Sequence, residues 1–170
     1  MASLAEAKLN DGQRILGFND LFIGASSHIS ARYKLTFGKN SEEHSSSGVI
    51  ISTKSGATGW LSSIFNMQNG MQNFLHATDH KKEKIKLNEN QLMFVVREPF
   101  QSKKTQSSLT VGILNSENKL ILDSFMPNNG VIFSDGIESD FLNFNSGSIA
   151  TIGIASETAK LIIDHRTNIV

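Results

Sequence analysis

Ser45 to Trp60, SSSGVIISTKSGATGW, is the stretch whose residue types and spacing suit it to hold a ligand. Val49, Ile50 and Ile51 form a β-branched apolar run of the kind used by a buried strand, and the Gly-, Ser- and Thr-rich segment 52–59 cannot continue it. From Trp60 onward, Leu61, Ile64, Phe65, Met71, Phe74 and Leu75 recur at close to helical periodicity. This predicts an amphipathic helix over about residues 59–77, entered through Thr58 or Gly59. A strand, a small-residue turn and a helix in succession direct free backbone N–H groups and the positive end of the helix at whatever sits over the turn. Glycines there let a ligand come close to the backbone. A phosphate-bearing ligand or a nucleotide suits such a turn. An ordinary strand-to-helix connection uses the same small residues for geometry alone, so both readings stay open on these residues.

A second polar pair, Asn19-Asp20, stands between the apolar runs 14–18 and 21–23. In a turn both side chains bond nearby backbone; turned toward a ligand, an amide and a carboxylate hold hydroxyl and amino groups in a fixed pose. His76 and His80 are four apart, but no third ligand is placed by the local sequence, so no metal site is assigned.

The elements that must position these groups follow from the rest of the pattern. Residues before the Asn10-Asp11-Gly12 turn signal read as a polar start, Arg14 to Phe18 and Leu21 to Ile23 as short strands, and Gly24 to Ser27 as a loop. Ala31 to Phe37 alternates as a half-buried strand. Gly38 to Ser47, polar and acidic at Glu42 and Glu43, reads as a hairpin loop. Asp79 to Asn90 is charged and reads as a solvated insertion rather than a nucleic-acid patch, because its lysines lack interleaved aromatics. From Gln91 the pattern is all-β, with strands at Leu92 to Val96, Leu109 to Leu114, Leu120 to Phe125, Val131 to Phe133, Phe141 to Phe144, Ile149 to Ile154 and Leu161 to Ile163. The fold class expected is mainly β, a β-sandwich-like packing with the one helix covering part of it.

The totals set bounds on function. The 170 residues suit one domain, and 39% hydrophobic residues is ordinary for a globular chain. Lysine plus arginine equals aspartate plus glutamate at 16 each, so no overall field favours nucleic acid or an anionic membrane. There is no cysteine, hence no disulfide or thiolate metal site, and no run long and apolar enough for a signal sequence or membrane span. Cytoplasm is the expected compartment.

STKSGATGW resembles the STxxGSTAY signature of the NAD kinase family, with Ser52, Thr53, Gly56 and Thr58 at matching positions and Trp60 in place of the usual Tyr. Asn19-Asp20 resembles the family's Asn-acid pair. REPF at 97–100, SDG at 134–136 and DFLNFNSG at 140–147 are similar to later family segments, nearest to the mitochondrial-type and related bacterial branch. The resemblance implies the C-terminal NAD-binding domain of such a kinase, which uses ATP and Mg²⁺ to phosphorylate the 2′-hydroxyl of the adenosine ribose of NAD. It also implies a dinucleotide ligand, a homo-oligomer, and as partner the family's N-terminal Rossmann-like half. The GGDG motif of that half, with its catalytic Asp, has no counterpart in these 170 residues, so no catalytic residue is assigned here. By position the resemblance makes Asn19, Asp20, Ser55, Thr58, Gly59 and Trp60 substrate-binding residues, with Ser47, Gly48 and Gly56 beside them. Ser47 departs from the Asp that many relatives carry, and Gly59 departs from the usual Ala. The alternative expectation is a non-catalytic dinucleotide-binding or oligomerisation module.

Overall fold

The computed structural model describes residues 1–76 and 86–160. Among them two antiparallel six-stranded sheets face one another across a shared core. The first runs in the order β2 (Arg14–Gly17), β1 (Ala2–Leu9), β12 (Ile149–Ala159), β9 (Leu120–Ser124), β4 (Ala31–Phe37), β5 (Asn40–Ser46). The second runs β11 (Phe141–Asn143), β10 (Gly130–Ser134), β3 (Asp20–Ala25), β6 (Val49–Ser52), β7 (Leu92–Val96), β8 (Val111–Leu114). Side chains alternate across each strand, so Leu21 and Ile23, Val49 and Ile51, and Leu92, Phe94 and Val96 face inward from the second sheet. Tyr33, Leu35, Leu120, Leu122 and Ile152 meet them from the first. The fold is the mainly β sandwich that the alternation predicts.

Besides Gly24 and Ala25, expected in a loop but paired within β3 against β10, two longer segments differ from expectation. The polar start is strand β1, paired with both β2 and β12, because Ala2, Ala5, Ala7 and Leu9 are buried while Glu6 and Lys8 stand on the other face. Alanines carry too little apolar surface to register as a strand by eye, yet they suit an interior that two sheets share closely. The hairpin loop expected at Gly38 to Ser47 is strand β5, which pairs with β4 from Ala31↔Ser46 to Phe37↔Asn40. Only Gly38 and Lys39 remain as the turn, with Gly38 at φ 61°, the left-handed value that the first position of a tight hairpin demands. The inward residues of β5 are Glu42, His44 and Ser46, so no apolar alternation marks it. Tyr33 makes the inward side habitable by stacking on His44 (5.6 Å) and meeting the Ser46 hydroxyl with its own (2.7 Å).

Strands from Leu92 onward lie within two residues of expectation, except that β12 continues to Ala159. The strand expected at Leu161 to Ile163, most of the charged insertion and His80 lie outside the described residues; of the insertion's end, Leu87 is buried and Glu89 pairs with Lys54 (2.6 Å). After β6 comes a short 3-10 turn (Ser55–Thr58) and then α1 (Trp60–His76). The helix covers the outer face of the second sheet with its first turns: Trp60 and Ile64 pack on Phe22, Ile50, Val131 and Phe133. Met71, Phe74 and Leu75 lie exposed beyond it. No described helix is long and apolar enough to cross a membrane.

Candidate functional site

The outer face of the second sheet is built in rows set by strand register. Asp20 lies opposite Ser52 on one row, and Phe22 lies opposite Ile50 and Phe133 on the next. On the third, Gly24 faces Gly48, whose carbonyl accepts the N–H of Arg97 just past β7 (2.8 Å), while the Ser47 N–H donates to the Arg97 carbonyl (3.0 Å). Neither glycine has room for a side chain, because a Cβ on either would stand 2.6–2.8 Å from the Phe22 ring, and Gly48 holds φ at 100°. The Phe22 ring therefore lies across two strands as a flat apolar floor. Trp60, the only tryptophan, stacks on it (5.7 Å, interplanar 10°), and Phe133 closes the other side at 4.9 Å.

A cleft of about 1020 Å³ opens against this floor, walled by the 25–30 loop, Ser47, Arg97, Glu98 and Asn129. Volume and aromatic lining suit a planar ring system with polar attachments. Of the residues singled out from the sequence, Trp60 and Ser47 line this cleft and Gly48 lies beneath its floor. Asp20 is buried on the same face, two residues along β3 from Phe22, and Asn19 is exposed at the turn before it. Ser55, Thr58 and Gly59 lie in and just after the 3-10 turn and do not line the cleft. Gly56 is buried, and a Cβ there would overlap the Asn19 carbonyl oxygen, so its lack of a side chain serves the protein's own packing.

That packing joins the two sequence-distant motifs. The Thr53 hydroxyl donates to the Phe18 carbonyl (2.6 Å) and accepts the Gly56 N–H (3.2 Å), while the Thr53 N–H donates to the Asn19 carbonyl (2.9 Å). From the other side the Asp135 carboxylate accepts the N–H groups of Phe18 (2.9 Å), Asn19 (2.6 Å) and Asp20 (3.3 Å). The Asn19-Asp20 turn is thus fixed by Thr53 and Asp135, both drawn from segments that resemble family motifs. Neither Phe22, which lies within an apolar run, nor Arg97, which lies in REPF, stood out as a site residue; the long-range signal was the register that brings them together.

The Asp20 carboxylate takes no hydrogen bond from the described residues. Burial, and then the neighbouring Asp135 charge, push its pKa above the ordinary 3.8. A raised acid binds its proton more readily in the folded chain than in the unfolded one, so this group withdraws stability as pH rises through 3.8 toward the raised value. Asp20→Asn should therefore raise the urea midpoint at pH 7 and give no gain at pH 3, while weakening ligand binding if the carboxylate is a ligand group. An equal or lower midpoint at pH 7 would show that the charge is well solvated after all.

No family model and no curated protein sequence matches this chain. Its structure is similar to the crystal structure of yeast NADH kinase complexed with NADH, with a TM-score of 0.64 at 13% identity, covering 91% of this chain and 40% of that one. The fold is therefore NAD kinase-like. The likeness is one of architecture, and the chain spans about 40% of that kinase's length.

Proposed function

We propose that this chain is the dinucleotide-holding part of an NAD kinase, an enzyme that phosphorylates the adenosine-ribose 2′-hydroxyl of NAD or NADH with ATP and Mg²⁺. The supporting observation is convergence: the Asn19-Asp20 pair, the segment 47–60 and the REPF segment, far apart in sequence, meet on one face of one sheet beside an aromatic-floored cleft. Phosphoryl transfer depends mainly on positioning and charge neutralisation, so the work of this part is to hold the acceptor still. In this reading the Asp20 carboxylate, with its acceptor capacity unused inside the protein, takes ribose hydroxyls, Asn19 adds an amide beside it, and the Trp60–Phe22 stack gives a base an apolar wall. Ser55, Thr58 and Gly59 form the turn that leads into Trp60 and hold it against the cleft. The Asp of the GGDG motif, near the reacting hydroxyl, belongs to a partner kinase half, and the assembled enzyme is a homo-oligomer.

Because Trp60 is the only tryptophan, its emission reports on the cleft directly. Titration with NAD or NADH should quench it saturably, with matching heat by calorimetry. A polypeptide of these 170 residues given ATP, Mg²⁺ and NAD should form no NADP, since loss of a positioned general base alone costs ~10²–10⁴ in rate. Absence of both quenching and heat with NAD, NADH and NADP would discard the dinucleotide reading in favour of a structural module; NADP formation would discard the division of labour between two parts.

A further inference from the structure

We infer that Arg97 is the anion anchor of the cleft and takes the diphosphate of a nucleotide ligand, a step that rests on the dinucleotide reading above. Arg97 is the only arginine or lysine among the described residues that line the cleft. Its guanidinium carbon stands 5.4 Å from the Trp60 ring centroid, so the group is held by stacking on an aromatic face that is itself stacked on Phe22. Its nearest carboxylate, Glu98, is at 3.7 Å, beyond hydrogen-bond range, and the Glu98 side chain is about half exposed. Such a pair is worth little, and no described residue occupies the planar N–H fork. A preorganised, half-buried guanidinium with free donors suits a phosphate, which it can grip through two parallel bonds where Glu98 makes none.

Placement along the sheet strengthens the assignment. Arg97 belongs to the Gly24–Gly48 row, and Asp20 lies four residues from Gly24 on β3, about 13 Å away at the strand rise. The aromatic floor lies between. The face therefore carries an acceptor for hydroxyls, an apolar aromatic surface and a cation on one strip of sheet, the three kinds of group that a nucleoside diphosphate engages.

The test is calorimetry of wild type, Arg97→Met and Arg97→Lys with adenosine, ADP, NAD and pyrophosphate, with thermal melts to check that each variant folds. In wild type, ADP should bind about 10- to 100-fold tighter than adenosine, the range for hydrogen bonds to a charged partner. Arg97→Met should abolish that gap while leaving adenosine affinity within about twofold, and Arg97→Lys should keep only part of it, because an ammonium cannot form the bidentate fork. An undiminished gap in Arg97→Met overturns the assignment, as does a wild type that binds neither ADP nor pyrophosphate. Pyrophosphate binding that is lost in Arg97→Met, without any adenosine binding, would uphold the anchor and discard the dinucleotide reading on which it was built.

Discussion

Gly56→Ala should destabilise the fold by about 3–5 kcal/mol, although it adds a single methyl group. The new Cβ would overlap the carbonyl oxygen of Asn19 and stand 2.6 Å from its carbonyl carbon. That carbonyl cannot retreat freely, because it already accepts the Thr53 N–H (2.9 Å) and the Thr53 hydroxyl oxygen lies against it at 3.1 Å. Relieving the clash means moving a turn bonded to Thr53 on one side and Asp135 on the other. Overpacking of this kind costs roughly 1–3 kcal/mol, and each hydrogen bond broken adds about 1 kcal/mol. Gly70→Ala is the control, since a Cβ there meets nothing within 4 Å inside α1. Removing a glycine from a helix interior should raise stability by roughly 0.5–1 kcal/mol. Urea unfolding of the two variants should therefore move the midpoint in opposite directions. A Gly56→Ala midpoint close to wild type would mean that the two turns are not held against each other and that the Asn19-Asp20 position is soft.

Asp135→Ala should cost about 2–4 kcal/mol and loosen ligand binding with it. Asp135 sits at φ 53°, the left-handed region that Asp tolerates and Ala resists by roughly 1–2 kcal/mol. Its carboxylate serves three consecutive backbone donors, Phe18, Asn19 and Asp20, and its own N–H returns to the Asp20 carbonyl at 3.0 Å. Bonds to a charged acceptor are worth about 1.5–3 kcal/mol each when buried, less here because Asn19 is exposed and its N–H regains water. Against this stands relief of the Asp20 carboxylate, whose ionisation Asp135 opposes. One screened like-charge contact is smaller than three bonds, so the clamp wins. Asp135→Asn keeps the left-handed preference and one acceptor oxygen, and should lose only about half as much at pH 7. Equal losses for Ala and Asn would assign the whole effect to charge, while a loss under about 0.5 kcal/mol for both would show the clamp to be idle.

How legible the fold was depended on whether burial needed apolar residues. Ala31 to Phe37, the Val49 to Ile51 run and the strands from Leu92 onward put large side chains on one face and polar ones or turn residues beside them, and they were readable as strands. β5 was not, because its inward positions are Glu42, His44 and Ser46, with Tyr33 from the neighbouring strand stacked on His44 and bonded to Ser46. β1 hid behind alanines whose value lies in close approach. For α1 the periodicity located the helix, but only its first turns meet the sheet.

The candidate site divides in the same way. Local chemistry was enough to determine that 45–60 is strand, turn and helix, that Trp60 opens the helix and that a polar pair, Asn19-Asp20, interrupts the apolar runs, since each depends on near neighbours along the chain. Tertiary structure alone decided that Phe22 lies across Gly24 and Gly48, that Trp60 stacks on Phe22 with Arg97 against it, and that Thr53 and Asp135 clamp one turn from opposite sides. These contacts join residues on different strands, and their existence depends on antiparallel register. A shift of one residue in that register would turn Phe22 inward and leave Arg97 on the other face. Register is set by the whole buried face at once, so no window of sequence contains it.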